Sequence, residues 1–212
     1  GEHLVRHPDI DKVSFTGSDH PKVCSYLDVL SGKVVVGKRA ALIGAGGIGF
    51  DVAEYLTHAG DHGDPIDAYR KEWGIDPNYT DKRGGLAAPQ MPPSPREVWL
   101  LQRKTSKVGD GLAKTTGWAR RLLLQKRGVH MQGGVEYLKI DDAGLHISID
   151  GKPSVLDVDT IVICAGQEPR RELVAGLEAA GIEYTLVGGA DVATELDAKR
   201  AIWQATEFAV EY

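Results

Sequence analysis

Val35-Val36-Gly37-Lys38-Arg39-Ala40-Ala41-Leu42-Ile43 runs directly into Gly44-Ala45-Gly46-Gly47-Ile48-Gly49, and that into Phe50-Asp51-Val52-Ala53-Glu54-Tyr55-Leu56. The first run has the continuous apolar character of a strand at the centre of a parallel sheet. The last has helical spacing, with Ile48, Val52, Tyr55 and Leu56 on one face and a stop expected near Gly60. A GxGxxG turn between such a strand and such a helix has a physical purpose. Gly44 permits the tight turn, and Gly46, with Gly47 beside it, lets backbone approach a pyrophosphate. Gly49 lets the helix pack closely on the strand. The helix's unpaired N–H groups and positive end then face the phosphates. The stretch therefore predicts a Rossmann-like dinucleotide-binding unit.

The nucleotide is read at the end of the second strand, Val98–Leu101. NAD-binding units usually carry an acidic residue there for the ribose 2′-hydroxyl. Here Gln102-Arg103-Lys104 follows, with Lys107 just beyond. Arg103 and Lys104 can bind a 2′-phosphate, Arg103 through its planar fork, so NADPH is the expected cofactor. An ordinary solvated basic turn is the alternative. Gly49 and Gln102 are 53 positions apart (102 − 49), against about 20 in the common unit. An Asp-, Pro- and Gly-rich insertion at 61–96 accounts for the excess. It holds a short helical segment, Ile66–Trp73, and is expected to lie over the nucleotide site or a partner domain.

Farther along, Thr115–Arg127 reads as a helix with Leu122, Leu123 and Leu124 inward, and Val129–Met131 as a third strand. Val135–Ile140, Leu145–Ile149 and Ser154–Leu156 alternate around Asp141-Asp142-Ala143-Gly144 and Asp150-Gly151, which predicts an antiparallel meander. Thr160–Cys164 is a further buried strand that leads to Ala165-Gly166. Arg171–Ala180 reads as a helix, Tyr184–Val187 as a strand and Ala193–Glu211 as a last helix. The fold class is α/β: a Rossmann-like parallel sheet flanked by helices, with an antiparallel β-meander. The expected organisation is an N-terminal segment and linker over 1–34, an NADPH-binding domain over 35–165 and a C-terminal segment over 166–212.

The 212 residues carry a net charge of −5, which argues against a nucleic-acid partner. Neither a membrane span nor a secretory leader is evident, and two cysteines suit a reducing cytoplasm. The only methionines are Met91 and Met131, so the chain is expected to be part of a longer protein. Cys164 lies in an apolar strand with no nearby His, as a structural thiol does. The seven histidines lack metal-ligand spacing, so no metal site is expected. No residues assemble a catalytic set.

From Asp19 to Tyr212 the chain resembles the C-terminal region of the NADPH-dependent 2,4-dienoyl-CoA reductases, multidomain flavoproteins related to trimethylamine dehydrogenase and old yellow enzyme. The runs that carry the resemblance are Asp19–Val23, Ser25–Leu30, Ile43–Asp51 and Glu72–Asp76. They continue with Leu101–Lys104, Lys114–Trp118, Val162–Pro169 and Gly188–Ile202. The resemblance implies a division of labour. An N-terminal flavin barrel would hold FMN, an iron–sulfur cluster and the dienoyl-CoA site used in fatty acid β-oxidation; the C-terminal part would bind NADPH and FAD and pass electrons forward.

By the same resemblance, Gly44, Gly46, Gly47 and Gly49 hold the pyrophosphate, Arg103 and Lys104 the 2′-phosphate, and Gly166 contributes to cofactor binding. Asp191 takes the FAD ribityl chain, although read by itself it suits the N-cap of a helix starting at Ala193. Only part of an FAD site is present, so the chain alone is expected to bind nucleotide without turning over a substrate. His7–Ser18 instead resembles a segment of aldehyde dehydrogenases. A non-catalytic dinucleotide-binding sensor or interaction module is the alternative reading of the whole.

Overall fold

A computed structural model describes residues 16–58, 60, 65–80, 83–193 and 198–211. Residues 1–15, and with them most of the segment resembling aldehyde dehydrogenases, lie outside the described residues. The chain divides into two units, one spanning Ser14–Ala165 and the other including Gly166–Tyr212.

In the first unit the elements run β1 (Val23–Ser25), α1 (Tyr26–Leu30), β2 (Arg39–Ile43), α2 (Gly47–Thr57), α3 (Pro65–Trp73) and β3 (Glu97–Leu101). They continue with α4 (Gly117–Lys126), β4 (His130–Gln132), β5 (Val135–Asp141), β6 (Gly144–Ile149), β7 (Lys152–Leu156) and β8 (Thr160–Ile163). Five strands form a parallel sheet in the order β1-β8-β2-β3-β4, and β5-β6-β7 form a separate antiparallel sheet. This is the Rossmann-like α/β fold with its meander. The Asp150-Gly151 hairpin is a turn with both residues at positive φ, +51° and +74°, as a two-residue connection matched to strand twist requires.

Ala40, Leu42, Val98, Leu100, Val162 and Cys164 of the sheet pack with Phe50, Val52, Ala53, Leu56 and Leu124 of the helices. The buried face of α2 keeps Val52 and Leu56, with Ile48 packed against the core, as spacing suggests, but is rotated towards Phe50 and away from Tyr55. Phe50 is buried, whereas Tyr55 is 54% exposed. The reason is a neighbour remote in sequence: the Phe50 ring packs so close to Gly109, in the loop after β3, that a Cβ there would lie 2.8 Å from it. Helix α2 also ends at Thr57, before Gly60, and the central strand begins at Arg39 rather than Val35, which is exposed.

Strand β1 is the element least visible in the sequence. Three residues within the expected linker become an edge strand because Val23, Cys24 and Ser25 find Ile161, Val162 and Ile163 of β8 as ladder partners.

The insertion is anchored away from the glycine turn. Glu72 on α3 accepts a 2.8 Å bond from Arg127, just past α4, and the same guanidinium donates to the Glu54 carbonyl near the end of α2. Arg96 likewise donates to the Leu56 carbonyl. Helix α3 therefore docks at the C-terminal ends of α2 and α4, opposite the helix end that follows the glycines. Of the two expectations for the insertion, these contacts of its described residues speak against a cover over the nucleotide site and leave open that it lies over a partner domain.

The second unit holds α5 (Val174–Ala179), a 3-10 turn at Gly188–Ala190 and α6 (Ala198–Glu211). The expected strand at Tyr184–Val187 is absent from the described residues; a strand needs a ladder partner, and none is supplied there. Helix α5 starts at Val174 rather than Arg171, whose side chain is used on carbonyls farther along.

The Arg127 side chain is 4% exposed and that of Glu72 15%, so removing the carboxylate leaves a buried charge without its counterion. Glu72→Ala is expected to cost about 3 kcal/mol of unfolding free energy, measured as a lower urea midpoint at unchanged slope.

Candidate functional site

Strand register assembles the candidate site. Ile43 pairs with both Leu101 and Ile163, and Leu101 pairs with Gln132. Gly44, Gln102, Gly133 and Cys164 are thus the first residues beyond the carboxyl ends of four adjacent parallel strands, on one edge. Ligands bind along this edge in open parallel sheets.

At Gly44 the chain leaves β2 at φ +111°, its N–H donating to the Leu101 carbonyl at 2.9 Å. A Cβ here would meet the Ala165 Cβ at 2.8 Å, and one on Gly49 would lie 1.9 Å from the Gly44 carbonyl oxygen. These two glycines serve the fold itself. Gly46 and Gly47 differ: both are exposed, and a Cβ on either would meet no atom of the described residues within 4 Å. Gly46 caps α2 without a side-chain bond, so the unpaired N–H groups expected in the first turn of the helix have no side chain at Gly46 or Gly47 beside them. This cradle fits a dinucleotide pyrophosphate.

Beside it, five consecutive residues after β3, Arg103 to Lys107, are exposed. Their backbone is pinned from the inner side. Gln102 Nε2 donates to the carbonyls of Lys104 at 3.0 Å and Ser106 at 2.7 Å. Gly134 N–H also donates to the Lys104 carbonyl, and Val135 N–H to that of Gln102. Tyr137 on β5 lies close by: burial pushes its hydroxyl well above the ordinary phenol range, while the Arg103 charge pulls it down.

In the sequence Gln102 is legible only as the residue standing where an acid is usual, and nothing local signals the use of its side chain. Gly133-Gly134 was missed, although paired glycines ahead of a meander signal a close backbone approach. A Cβ on Gly133 would lie 3.0 Å from the Lys104 and Ser106 carbonyl oxygens.

Gly166 and Asp191 belong to the second unit. Gly166 has φ +82°. Asp191 directly follows the 3-10 turn, and its carboxylate accepts from Gln204 Nε2 at 2.8 Å. Gln204 Oε1 accepts from Gly188 N–H, and Arg171 donates to the carbonyls of Ala190 and Asp191. Asp191 is not the N-cap of a helix starting at Ala193, since Val192 and Ala193 are not helical; helix α6 instead reaches back through Gln204 to orient the carboxylate.

Cys164, at the sheet edge, is buried, with its thiol pushed up to about 12 by burial and, secondarily, by Cys24. It is a protonated core thiol rather than a nucleophile.

The chain matches a known family of proteins. The family described as Pyridine nucleotide-disulphide oxidoreductase matches residues 6–208. The chain belongs to this family. Pyridine nucleotide-disulphide oxidoreductases are oxidoreductases, and membership implies NAD(P) and FAD as cofactors.

Solved structures share the fold. 2-Naphthoyl-CoA reductase, in complex with 2-naphthoyl-CoA, aligns with a TM-score of 0.64 at 20% identity over 92% of this chain and 24% of its own. Histamine dehydrogenase from Rhizobium sp. 4-9 aligns with a TM-score of 0.57 at 15% identity over 93% and 26%. The 6-hydroxypseudooxynicotine amine oxidase of Pseudomonas geniculata N1 aligns with a TM-score of 0.53 at 16% identity over 78% and 20%. The chain thus spans about a quarter or less of these proteins. Among the described residues no helix is long and apolar enough to cross a membrane.

The two classes of glycine separate experimentally. Gly46→Val is expected to abolish nucleotide binding while leaving far-ultraviolet circular dichroism and the melting temperature nearly unchanged. Gly49→Ala is expected to cost about 1–3 kcal/mol through overpacking. Micromolar binding retained by Gly46→Val, in titration calorimetry, would contradict the cradle.

The thiols give a pH prediction. The folded value for Cys164 lies above the ordinary 9.0, so the native state holds this proton more tightly. Its contribution to stability is full below pH 9 and is lost as the pH rises from 9 towards 12. The fall in urea midpoint over that window should be shallower in Cys164→Ala. Native Cys164 should resist thiol reagents at pH 8.

Proposed function

We propose that this chain is the NADPH-binding, electron-input portion of a flavin-dependent oxidoreductase resembling 2,4-dienoyl-CoA reductase. The observation that carries the reading is the pairing of two adjacent strand ends. One ends in a bare helix N-terminus, and the next in an exposed Arg103-Lys104 turn with Gln102 where NAD-binding units place an acid. The helix end of Gly46–Gly49 holds the pyrophosphate by backbone N–H groups. Arg103 would hold the 2′-phosphate through its planar guanidinium and Lys104 as a point charge. Bound NADPH supplies a hydride to the flavin.

The second unit contributes to FAD binding through Asp191. Its carboxylate, oriented by Gln204, accepts hydrogen bonds from the ribityl hydroxyls, and Gly166 contributes backbone at the start of that unit. An N-terminal flavin barrel of the parent protein is the partner. FMN and an iron–sulfur cluster belong to that partner, since Cys24 and Cys164 alone cannot ligate a cluster. On the resemblance to the 2,4-dienoyl-CoA reductases, the eventual electron acceptor is an unsaturated acyl-CoA of fatty acid β-oxidation, in the cytoplasm.

Arg103→Glu tests the central assignment. It is expected to weaken NADPH binding by about 1.5–3 kcal/mol, the range for a charge-assisted hydrogen bond, while changing NADH binding far less. Titration calorimetry on both proteins decides it. Equal losses for the two nucleotides would remove Arg103 from the site.

A further inference from the structure

We infer that Gln102 is the positioning residue that makes this turn selective for a phosphate-bearing nucleotide, by drawing its backbone carbonyls inward and leaving its cationic side chains outward. The inference rests on the reading of Arg103 and Lys104 as the 2′-phosphate site.

Three observations carry it. First, the Gln102 amide group uses both its N–H bonds on the turn, donating to the Lys104 and Ser106 carbonyls at 3.0 and 2.7 Å. Those oxygens are the negative ends of peptide dipoles, and facing outward they would repel an approaching phosphate. Second, the inner wall fits the turn closely. A Cβ on Gly133 would stand 3.0 Å from the same two oxygens, which would have to give by a few tenths of an ångström, and the N–H groups of Gly134 and Val135 hold the Lys104 and Gln102 carbonyls. Third, residues 103–107 are all exposed, whereas Gln102 is half-buried. The turn is thus set before ligand arrives, and a preorganised cationic loop loses less freedom on binding.

The amide is also what the chemistry requires. A glutamate at this position keeps the length but loses both donors, since a carboxylate only accepts. Set against the Lys104 and Ser106 carbonyls, it would turn outward to the ribose, where an acid accepts from a 2′-hydroxyl and repels a 2′-phosphate. One atom exchange at Gln102 therefore changes both the turn and its preference. A methionine keeps the volume and removes the donors without adding charge.

The test uses the 212-residue chain with wild type, Gln102→Met, Gln102→Glu and Arg103→Glu, each titrated calorimetrically with NADPH and with NADH. Gln102→Met is expected to raise the NADPH Kd about tenfold and the NADH Kd less than twofold. Gln102→Glu is expected to raise the NADPH Kd by about a hundredfold while leaving NADH equal or tighter. Hydrogen exchange without nucleotide is the second readout. The Gly134 and Val135 amides, which bond the turn, should exchange faster in Gln102→Met, with melting temperature and exchange elsewhere unchanged.

Equal weakening of both nucleotides would make Gln102 a merely structural residue and overturn the inference. So would unchanged exchange at Gly134, or an unaltered NADPH-to-NADH ratio in Gln102→Met alongside a discriminating Arg103→Glu. If Arg103→Glu itself fails to discriminate, the 2′-phosphate reading falls, whatever Gln102 does.

Discussion

Gly49 packs against the Gly44 carbonyl so closely that a Cβ would stand 1.9 Å from the oxygen. That contact lets α2 begin four residues after β2 ends, with its axis laid back over the sheet. Phe50, Val52, Ala53 and Leu56 then reach the buried sheet residues, and the helix N-terminus is left at the carboxyl edge. A side chain at Gly49 would push the helix outward and loosen the core and the phosphate cradle together. The cradle is thus a by-product of tight helix–strand packing, with Gly46 and Gly47 adding only the absence of side chains.

Register is the second determinant. Because Ile43, Leu101, Gln132 and Ile163 sit at one level across β2, β3, β4 and β8, every residue that follows them opens onto the same edge. Neighbouring parallel strands lie about 4.8 Å apart. The glycine turn and the Arg103-Lys104 turn are therefore next to each other, although the insertion separates them in sequence. The insertion does not disturb this arrangement, because Glu72, Arg127 and Arg96 fasten it to the far ends of the helices. A long excursion between two strands of a parallel sheet is tolerated when its contacts lie away from the edge that binds ligand.

Polar side chains are used economically on both units. Gln102 spends its amide on backbone carbonyls within four residues of itself, and Gln204 bridges Gly188 N–H and the Asp191 carboxylate from a helix. In each case a neutral amide orients a charged group without competing with it for a ligand's charge. Cys164 illustrates the converse. A thiol at the sheet edge is kept protonated by burial.

The sequence by itself determined the strand–turn–helix unit, the meander and the cationic character of the second strand end. These depend on local sterics: glycine spacing at a tight turn, positive φ at Asp150-Gly151, and residue types adjacent in the chain. Only the tertiary structure decided the strand order, the recruitment of Val23–Ser25 as an edge strand and the burial of Phe50 in place of Tyr55. It also decided that Gly49 is packed against the Gly44 carbonyl whereas Gly46 faces open space, and that the Asp191 carboxylate is held by Gln204. Each of these rests on a contact or a space made by residues far apart along the chain. Glu72 and Arg127 are 55 positions apart, and Cys24 and Val162 pair across most of the first unit. Periodicity reports how a segment alternates, but which neighbour it meets is settled only when the sheet closes around it.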